Sequence, residues 1–174
     1  MGSIAEERRT GTIELLFTRP ISDLKIILAK YLASVTLMIV ALLPTIIYYI
    51  SMYNSAEDPS KFDHGATITS YIGLILLGAT FVAIGIFTSA LTSSQIVAFI
   101  LALFLCWLFI PEIGGIALLG SYNLMGSFDS VVQYFGMSYH YDGIQKGVID
   151  TKNIVYFLSA ITLFIYAALT VIKS

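Results

Sequence analysis

Four long apolar stretches dominate the pattern of hydrophobic and polar positions along the chain. They cover residues 28–50, 68–91, 95–119 and 153–172. A helix needs about 20 predominantly apolar residues to cross the hydrocarbon core of a bilayer. The pattern therefore predicts an all-α membrane protein, a polytopic bundle with four transmembrane helices. Residues 28–174 form its transmembrane domain, and the more polar residues 1–27 precede it.

The connection between the second and third stretches is very short. Only residues 92–94 intervene, and Thr92 and Gln95 have the spacing of a capping box that would begin a new helix. This predicts a tight helical hairpin.

The other two connections, residues 51–67 and 120–152, are long. In the second, four apolar residues have the spacing of one helix face, and Ser127 and Gly136 are suited to its start and its end. These four are Phe128, Val131, Val132 and Phe135. We therefore predict a short helix there that lies in the membrane interface.

Basic residues are distributed unevenly between the two sides that these stretches define. One side carries Arg8, Arg9, Arg19, Lys25, Lys30 and Lys173, whereas the two long loops carry only Lys61, Lys146 and Lys152. Because cytoplasmic loops of membrane proteins are enriched in Lys and Arg, both termini are predicted in the cytoplasm and both long loops outside. Several tyrosines fall at the predicted outer ends, where such rings favour the headgroup zone. They are Tyr48, Tyr49, Tyr53, Tyr71, Tyr139 and Tyr141.

The composition excludes several classes of protein. Hydrophobic residues make up 57% of the chain and charged residues 11%, against about a quarter charged in soluble domains. A net charge of −2 offers no basic face for nucleic acid. Cys106 is the single cysteine and lies in an apolar stretch, so neither a disulfide framework nor a zinc-ligand spacing is present.

The sequence lacks three common motifs of nucleotide-binding and catalytic sites. It contains no GxxxxGK[ST] loop for nucleotide phosphates, no HExxH and no GxSxG. His64 and His140 stand alone in the long loops and are interpreted as solvated or interfacial side chains. We therefore predict a protein that is not an enzyme and has no catalytic, cofactor-binding or metal-binding residues. The uncharged cores of the spans also argue against an ion-coupled carrier.

Prolines and small residues mark places where the spans bend or approach each other. Pro44 and Pro111 should bend their helices, and Glu112 follows Pro111 in the outer half of the third span. These three residues are candidates for a pathway or a hinge, with a purely structural kink and an interfacial carboxylate as the alternatives. The second span carries small residues suited to close helix contact, namely Gly73, Gly78, Ala79, Ala83, Gly85 and Ser89.

The most informative part is the charged segment before the first span. Gly11 or Thr12 can cap a short helix, Glu14 suits its first turn, and Pro20 ends it. Ile13, Leu16 and Phe17 form its apolar stripe, and Ser22 can cap the next helix. Physics alone leaves two interpretations: a helix that docks in the groove of a partner, or one that lies on the membrane surface.

Here the sequence resembles a known family. Glu6-Glu7-Arg8-Arg9, Gly11 to Leu16, Pro20-Ile21 and Lys30-Tyr31-Leu32 resemble the coupling segment of type-2 ABC transporter permeases. Residues 94–100, 136–138 and 147–151 resemble the gliding-motility permease of Bacteroidetes more than the copper-processing permease of nitrous oxide reductase systems.

The resemblance implies a permease subunit of an ATP-driven exporter in the cell inner membrane. A separate ABC ATPase subunit would bind and hydrolyse the ATP, and a second permease copy or a homologous permease would complete the transporter. Residues 1–27 would be the cytoplasmic coupling segment, and residues 5–22 would form the loop that contacts the ATPase. The residues at that contact would be Glu7, Arg9, Gly11, Thr12, Ile13, Glu14, Leu16, Phe17 and Pro20.

Permeases of this class have six spans, and an interfacial helix and two spans precede the coupling segment. The resemblance therefore implies that the four spans correspond to the third to sixth and that the chain is N-terminally truncated. A structural membrane anchor of a motility or secretion assembly is the main alternative function. No sequence feature identifies the transported substrate.

The predicted orientation can be tested with single cysteines placed in a Cys106→Ala background. Cysteines at Ser55 and Ser127 should react with an impermeant maleimide in intact cells, because both positions are predicted outside. A cysteine at Ser93, in the predicted cytoplasmic hairpin, should be protected. Labelling at position 93 with protection at 55 and 127 would show that the orientation is inverted.

Overall fold

The computed structural model describes residues 4–5, 9, 22–55, 63–109, 136–147 and 150–173. In these ranges the chain forms helices, which we number in chain order. They are α1 (Asp23–Leu42), α2 (Thr45–Ser55), α3 (His64–Leu91), α4 (Gln95–Phe109), α5 (Met137–Gln145) and α6 (Thr151–Lys173). The predicted all-α class is therefore confirmed.

Three helical segments are long and apolar enough to cross a membrane. They are Asp23–Ser55, in which α1 and α2 follow each other directly, then α3 and α6. The fourth predicted span begins as α4, which is apolar and is described over 15 residues. The remainder of that span, residues 110–119 with Pro111 and Glu112, lies outside the described residues. A polytopic helical bundle is thus the architecture of the chain.

The break between α1 and α2 lies at Leu43 and Pro44. Proline has no N–H for the helical ladder, and its ring collides with the carbonyl four residues earlier. The Thr45 hydroxyl donates to the carbonyl oxygen of Leu42 at 2.6 Å, which satisfies one backbone group near the break. Thr45 Oγ1 also lies 3.0 Å from the hydroxyl of Tyr71 on α3, which ties the break to the neighbouring helix. The helix is interrupted at Pro44, where a bend was expected, and the use of this position as a hinge stays a prediction.

The ends of the helices show which capping predictions hold. Ser22 occupies the N-cap position of α1 as expected, but its side chain makes no capping hydrogen bond. The hairpin between α3 and α4 spans residues 92–94 as predicted. The predicted capping box is wrong, however, because Thr92 Oγ1 accepts from the N–H of Ser94 at 3.2 Å rather than from Gln95. A hydroxyl that bonds two residues onward forms a tight turn, which suits so short a connection.

Helix α3 lies at the centre of the bundle, with α1, α4, α5 and α6 packed around it. Its buried residues Ala79, Ala83 and Ile84 form one hydrophobic cluster with side chains of α5 and α6. The partners from those two helices are Met137, Ile144, Phe157, Ile161 and Phe164. The core therefore combines small residues of α3, Ala79 and Ala83, and the larger Ile84 with large residues on its neighbours.

The glycines of α3 differ in what they face. A Cβ at Gly73 would lie 2.9 Å from Cγ2 of Ile144 on α5, and one at Gly78 would collide with the Met38 side chain of α1. Close helix contact is therefore confirmed at both positions. The prediction of close helix contact is wrong at Gly85, where a Cβ would meet nothing within 4 Å.

Helix α5 was not predicted, since residues 120–152 were interpreted as a loop with an interfacial helix ending at Gly136. Gly136 instead precedes α5 as its N-cap residue, and Met137, His140 and Ile144 on this helix are buried. The interpretation of His140 as a solvated loop residue is therefore wrong, and its position at the membrane interface stays a prediction. The predicted helix over residues 128–135 lies outside the described residues.

The two ends of the bundle can now be defined. At the terminal end, Ile4, Ile27 of α1, Ala90 of α3 and Leu169 of α6 belong to one buried cluster. At the opposite end, which we call the loop end, His64 at the start of α3 contacts Tyr49 and Tyr53 of α2. Both termini and the 92–94 hairpin thus share one end, as the four-span pattern requires. Which end faces the cytoplasm stays a prediction.

The contrast between Gly73 and Gly85 gives a test of the packing. Gly73→Ala should destabilise the folded protein by about 1–3 kcal/mol, because the new methyl group overlaps the branched side chain of Ile144. Gly85→Ala is the matched control on the same helix and should be neutral or stabilising by up to about 1 kcal/mol, since alanine is the better helix former. Thermal unfolding in detergent would measure both. Equal losses for the two variants would contradict the described contact.

Candidate functional site

The first described residues, Ile4 and Ala5, are buried in the terminal end of the bundle. Their exposed fractions are 3% and 0%. They share this cluster with Ile27, Ala90 and Leu169, so they contact the start of α1 and the last turns of α3 and α6. The chain is therefore fixed to the bundle before the charged segment begins.

A hydrogen bond fixes this contact in register. The backbone N–H of Ala5 donates to Oγ of Ser89 on α3 at 3.0 Å, and both groups are buried. Burial of an N–H without an acceptor costs about 1–3 kcal/mol, and the hydroxyl of Ser89 removes this cost for the N–H of Ala5. The sequence analysis had assigned Ser89 to helix packing alone, and its hydrogen bond was missed.

This burial corrects one boundary of the predicted coupling segment. Residues 5–22 were expected to form the loop that contacts the ATPase, but Ala5 faces the bundle core and is inaccessible to a partner. Arg9 is exposed, as a residue at a partner surface must be. The other predicted interface residues, Glu7, Gly11, Thr12, Ile13, Glu14, Leu16, Phe17 and Pro20, lie outside the described residues.

The segment is also fixed where it joins α1. The N–H of Lys25 donates to the carbonyl oxygen of Ser22 at 2.9 Å, which closes the first turn of the helix. Ile27, one turn into α1, is fully buried in the same cluster as Ile4. Both flanks of residues 6–21 are therefore attached to one cluster at the terminal end.

A cleft of about 490 Å³ opens beside this attachment, between the last part of α3 and the first part of α4. Gly85, Thr88 and Ser89 form one wall, and Ile96 and Phe99 are on the other. Gly85 is the glycine with open space above it, which the cleft explains. Ser89 therefore both lines the cleft and accepts the hydrogen bond from Ala5.

A second polar arrangement lies at the loop end. Nδ1 of His140 on α5 is 2.9 Å from Oδ1 of Asn153 on α6, and both residues are buried. The imidazole stacks on the ring of Tyr156 with centroids 4.0 Å apart and planes 19° apart. This arrangement joins α5 to α6 through a buried polar contact. The spacing of Met137, His140 and Ile144, which is that of one helix face, is a sequence signal that could have indicated this helix but was missed.

Two ionisable groups near this arrangement, Asp150 and Lys152, form a local ion pair. Lys152 Nζ lies 2.9 Å from Asp150 Oδ2, and its hydrogen bond lowers the pKa of the Asp150 carboxyl. The backbone N–H of Lys152 also donates to Asp150 Oδ1 at 3.2 Å and acts in the same direction. In the ranges that the structure describes, no group of three or more His, Cys, Asp or Glu residues could hold a metal ion.

Comparison with known proteins gives one match. The model of the family described as "ABC-2 family transporter protein" matches residues 1–173, which is nearly the whole chain. No curated protein and no solved structure matches the chain significantly.

The attachment of Ala5 can be tested through its acceptor. Ser89→Ala removes the hydroxyl and leaves the Ala5 N–H without its acceptor, so it should lower the free energy of unfolding by about 1–3 kcal/mol. It should also make the N-terminal segment more accessible to protease. Ser159→Ala is the matched control, because that exposed hydroxyl bonds only to the backbone of Tyr156 in its own helix. A Ser89→Ala protein as stable and as protease-resistant as Ser159→Ala would contradict the assigned contact.

Proposed function

We propose that this chain, which belongs to the ABC-2 family of transporter proteins, is the membrane-spanning permease subunit of an ATP-driven exporter. The observation that carries the proposal is the family match over residues 1–173 in a chain that folds as a membrane helical bundle. ATP is bound and hydrolysed by a separate ABC ATPase subunit. The permease converts the movement of that subunit into a change in the bundle.

Residues 6–21 serve as the coupling segment in this proposal. Its support is the attachment of both flanks, Ala5 through Ser89 and Ser22 through α1. Because its two flanks contact α3 and continue into α1, a force applied to this segment would pass to α1 and to the end of α3. Closure of the ATPase would move these two helices and change the cleft beside Ser89.

The contact with the ATPase is assigned to the apolar stripe of Ile13, Leu16 and Phe17. Glu7, Arg9 and Glu14 flank the stripe and form charge-assisted contacts at its margin. In this proposal Gly11 or Thr12 caps the short helix predicted from the sequence, and Pro20 is the residue that would end it before α1. Exposure of Arg9 supports a partner surface here.

The transporter contains two permeases in this proposal, either two copies of this chain or one copy with a homologous permease. The described part of α4 buries only Ala98, and its large side chains, such as Phe99, Phe104 and Trp107, are exposed. This helix therefore offers one exposed apolar face for the second permease, and the exposed apolar side chains of α1 and α2 offer another. The resemblance of residues 94–100 and 136–138 to the gliding-motility permease supports a role in gliding motility.

The coupling segment can be tested by substitutions at Leu16. Leu16→Asp should weaken binding of the ATPase at least tenfold, because burial of a leucine is worth about 1.5–3 kcal/mol and the variant adds an uncompensated charge. Leu16→Met is the matched control and should bind normally, since it retains an apolar side chain of similar volume. Glu14→Lys should cost about 0.3–1 kcal/mol through the helix start alone. The measurement is co-purification of the ATPase with each membrane-inserted variant.

The same variants separate coupling from anchoring. If residues 6–21 merely hold the chain to the membrane surface, Leu16→Asp will leave ATPase co-purification and ATP turnover unchanged. That result would favour the structural-anchor function over the permease function.

A further inference from the structure

A polar cleft of about 300 Å³ lies at the loop end, between α5 and the start of α6. Its lining combines both signs of charge with neutral hydrogen-bonding groups, and the residues concerned are Tyr139, Asp142, Lys146, Asp150, Lys152 and Asn153. We propose that this cleft binds the zwitterionic headgroup of a membrane lipid of the phosphatidylethanolamine type. The proposal needs the chain to lie in a membrane but does not depend on transport.

Two opposite charges in the cleft are available to a ligand. Asp142 and Lys146 stand one helical turn apart at the end of α5, a spacing that brings Cβ atoms to about 5–6 Å. They do not form an ion pair with each other or with any other residue that the structure describes. Asp150 and Lys152, by contrast, neutralise each other at 2.9 Å. A ligand with one positive and one negative group therefore matches the two charged side chains, Asp142 and Lys146, that have no ion-pair partner among the described residues of the cleft.

Asn153 adds a buried donor at the bottom of the cleft. Asn153 is 3% exposed, and its Oδ1 already contacts Nδ1 of His140. Its Nδ2 is directed at Gly143, where a Cβ would lie only 2.9 Å away, and it has no acceptor among the described residues. Because a buried amide N–H is costly without an acceptor, an oxygen atom of a ligand in the cleft would satisfy it.

The surroundings of the cleft favour a lipid over a free solute. It opens beside Lys152 at the beginning of α6, a helix long and apolar enough to span the membrane. Towards the other end of α6, exposed apolar side chains continue from the cleft along the helix. Val155 is 56% exposed, Leu158 52% and Leu163 62%. A headgroup in the cleft would place its acyl chains along this surface.

The chemistry of each contact selects the headgroup. A primary ammonium can donate hydrogen bonds to Asp142, whereas a quaternary ammonium has no N–H to donate. The phosphate oxygens accept from Lys146 and from Nδ2 of Asn153. Phosphatidylglycerol has no amine and would leave Asp142 without a partner. Phosphatidylcholine has a quaternary ammonium, which cannot donate a hydrogen bond to Asp142. Each of these two lipids therefore satisfies only part of the site.

Native mass spectrometry of the purified full chain in a mild detergent would test the proposal. The probes are phosphatidylethanolamine, phosphatidylglycerol and phosphatidylcholine with identical acyl chains. Phosphatidylethanolamine should be retained about fivefold more than either of the others, as expected for two partly exposed charge-assisted contacts. Asp142→Asn and Lys146→Met should each abolish that preference. Lys25→Met, an exposed lysine at the terminal end, is the matched control and should retain it.

Three results would overturn the proposal. Equal retention of the three lipids, or an undiminished preference in Asp142→Asn, would show that the cleft does not select a zwitterion. Displacement of the lipid by an equal concentration of water-soluble glycerophosphoethanolamine would show that the occupant is a solute rather than a lipid. None of these results bears on the binding of the ATPase, which separates this test from that of the coupling segment.

Discussion

Close packing on α3 is the constraint on which the rest of the structure depends. In a bilayer, apolar side chains gain little by leaving lipid for a neighbouring helix, so association relies on van der Waals fit and on hydrogen bonds between helices. Small residues on α3 provide that fit. Gly78 admits Met38 of α1, Gly73 admits Ile144 of α5, and Ala83 lies in the cluster that includes Phe157 of α6.

The position of α3 also joins the two ends of the molecule. Its 28 residues correspond to a rod of about 42 Å at 1.5 Å per residue. Ser89 in its last turns holds Ala5, while Gly73 in its first half holds α5, which carries one wall of the lipid cleft. A movement imposed at the terminal end can therefore reach the loop end through one stiff element, which is what a permease driven from one side of the membrane requires.

The sequence predicted those parts of the fold that depend on local pattern. Long apolar stretches indicate spanning helices because the bilayer demands them, and Pro44 breaks its helix because it lacks an N–H. Helix α5 escaped prediction because it has nine residues and is mostly polar outside its three buried positions. The burial of His140 depends on Asn153 and Tyr156, which contact it only after α5 has packed on α6.

The candidate site shows the same division. The charged segment before the first span was recognisable from its residues, whereas the attachment of Ala5 to Ser89 joins positions 84 residues apart and leaves no local pattern. A cysteine pair at these two positions, in a Cys106→Ala background, tests that attachment most directly. Mild oxidation in membranes should cross-link Ala5→Cys to Ser89→Cys within one chain, and Ala5→Cys with Ser159→Cys should remain reduced. If the 5–89 pair stays fully reactive to maleimide, the N-terminal segment is not fastened to the bundle and the coupling account fails.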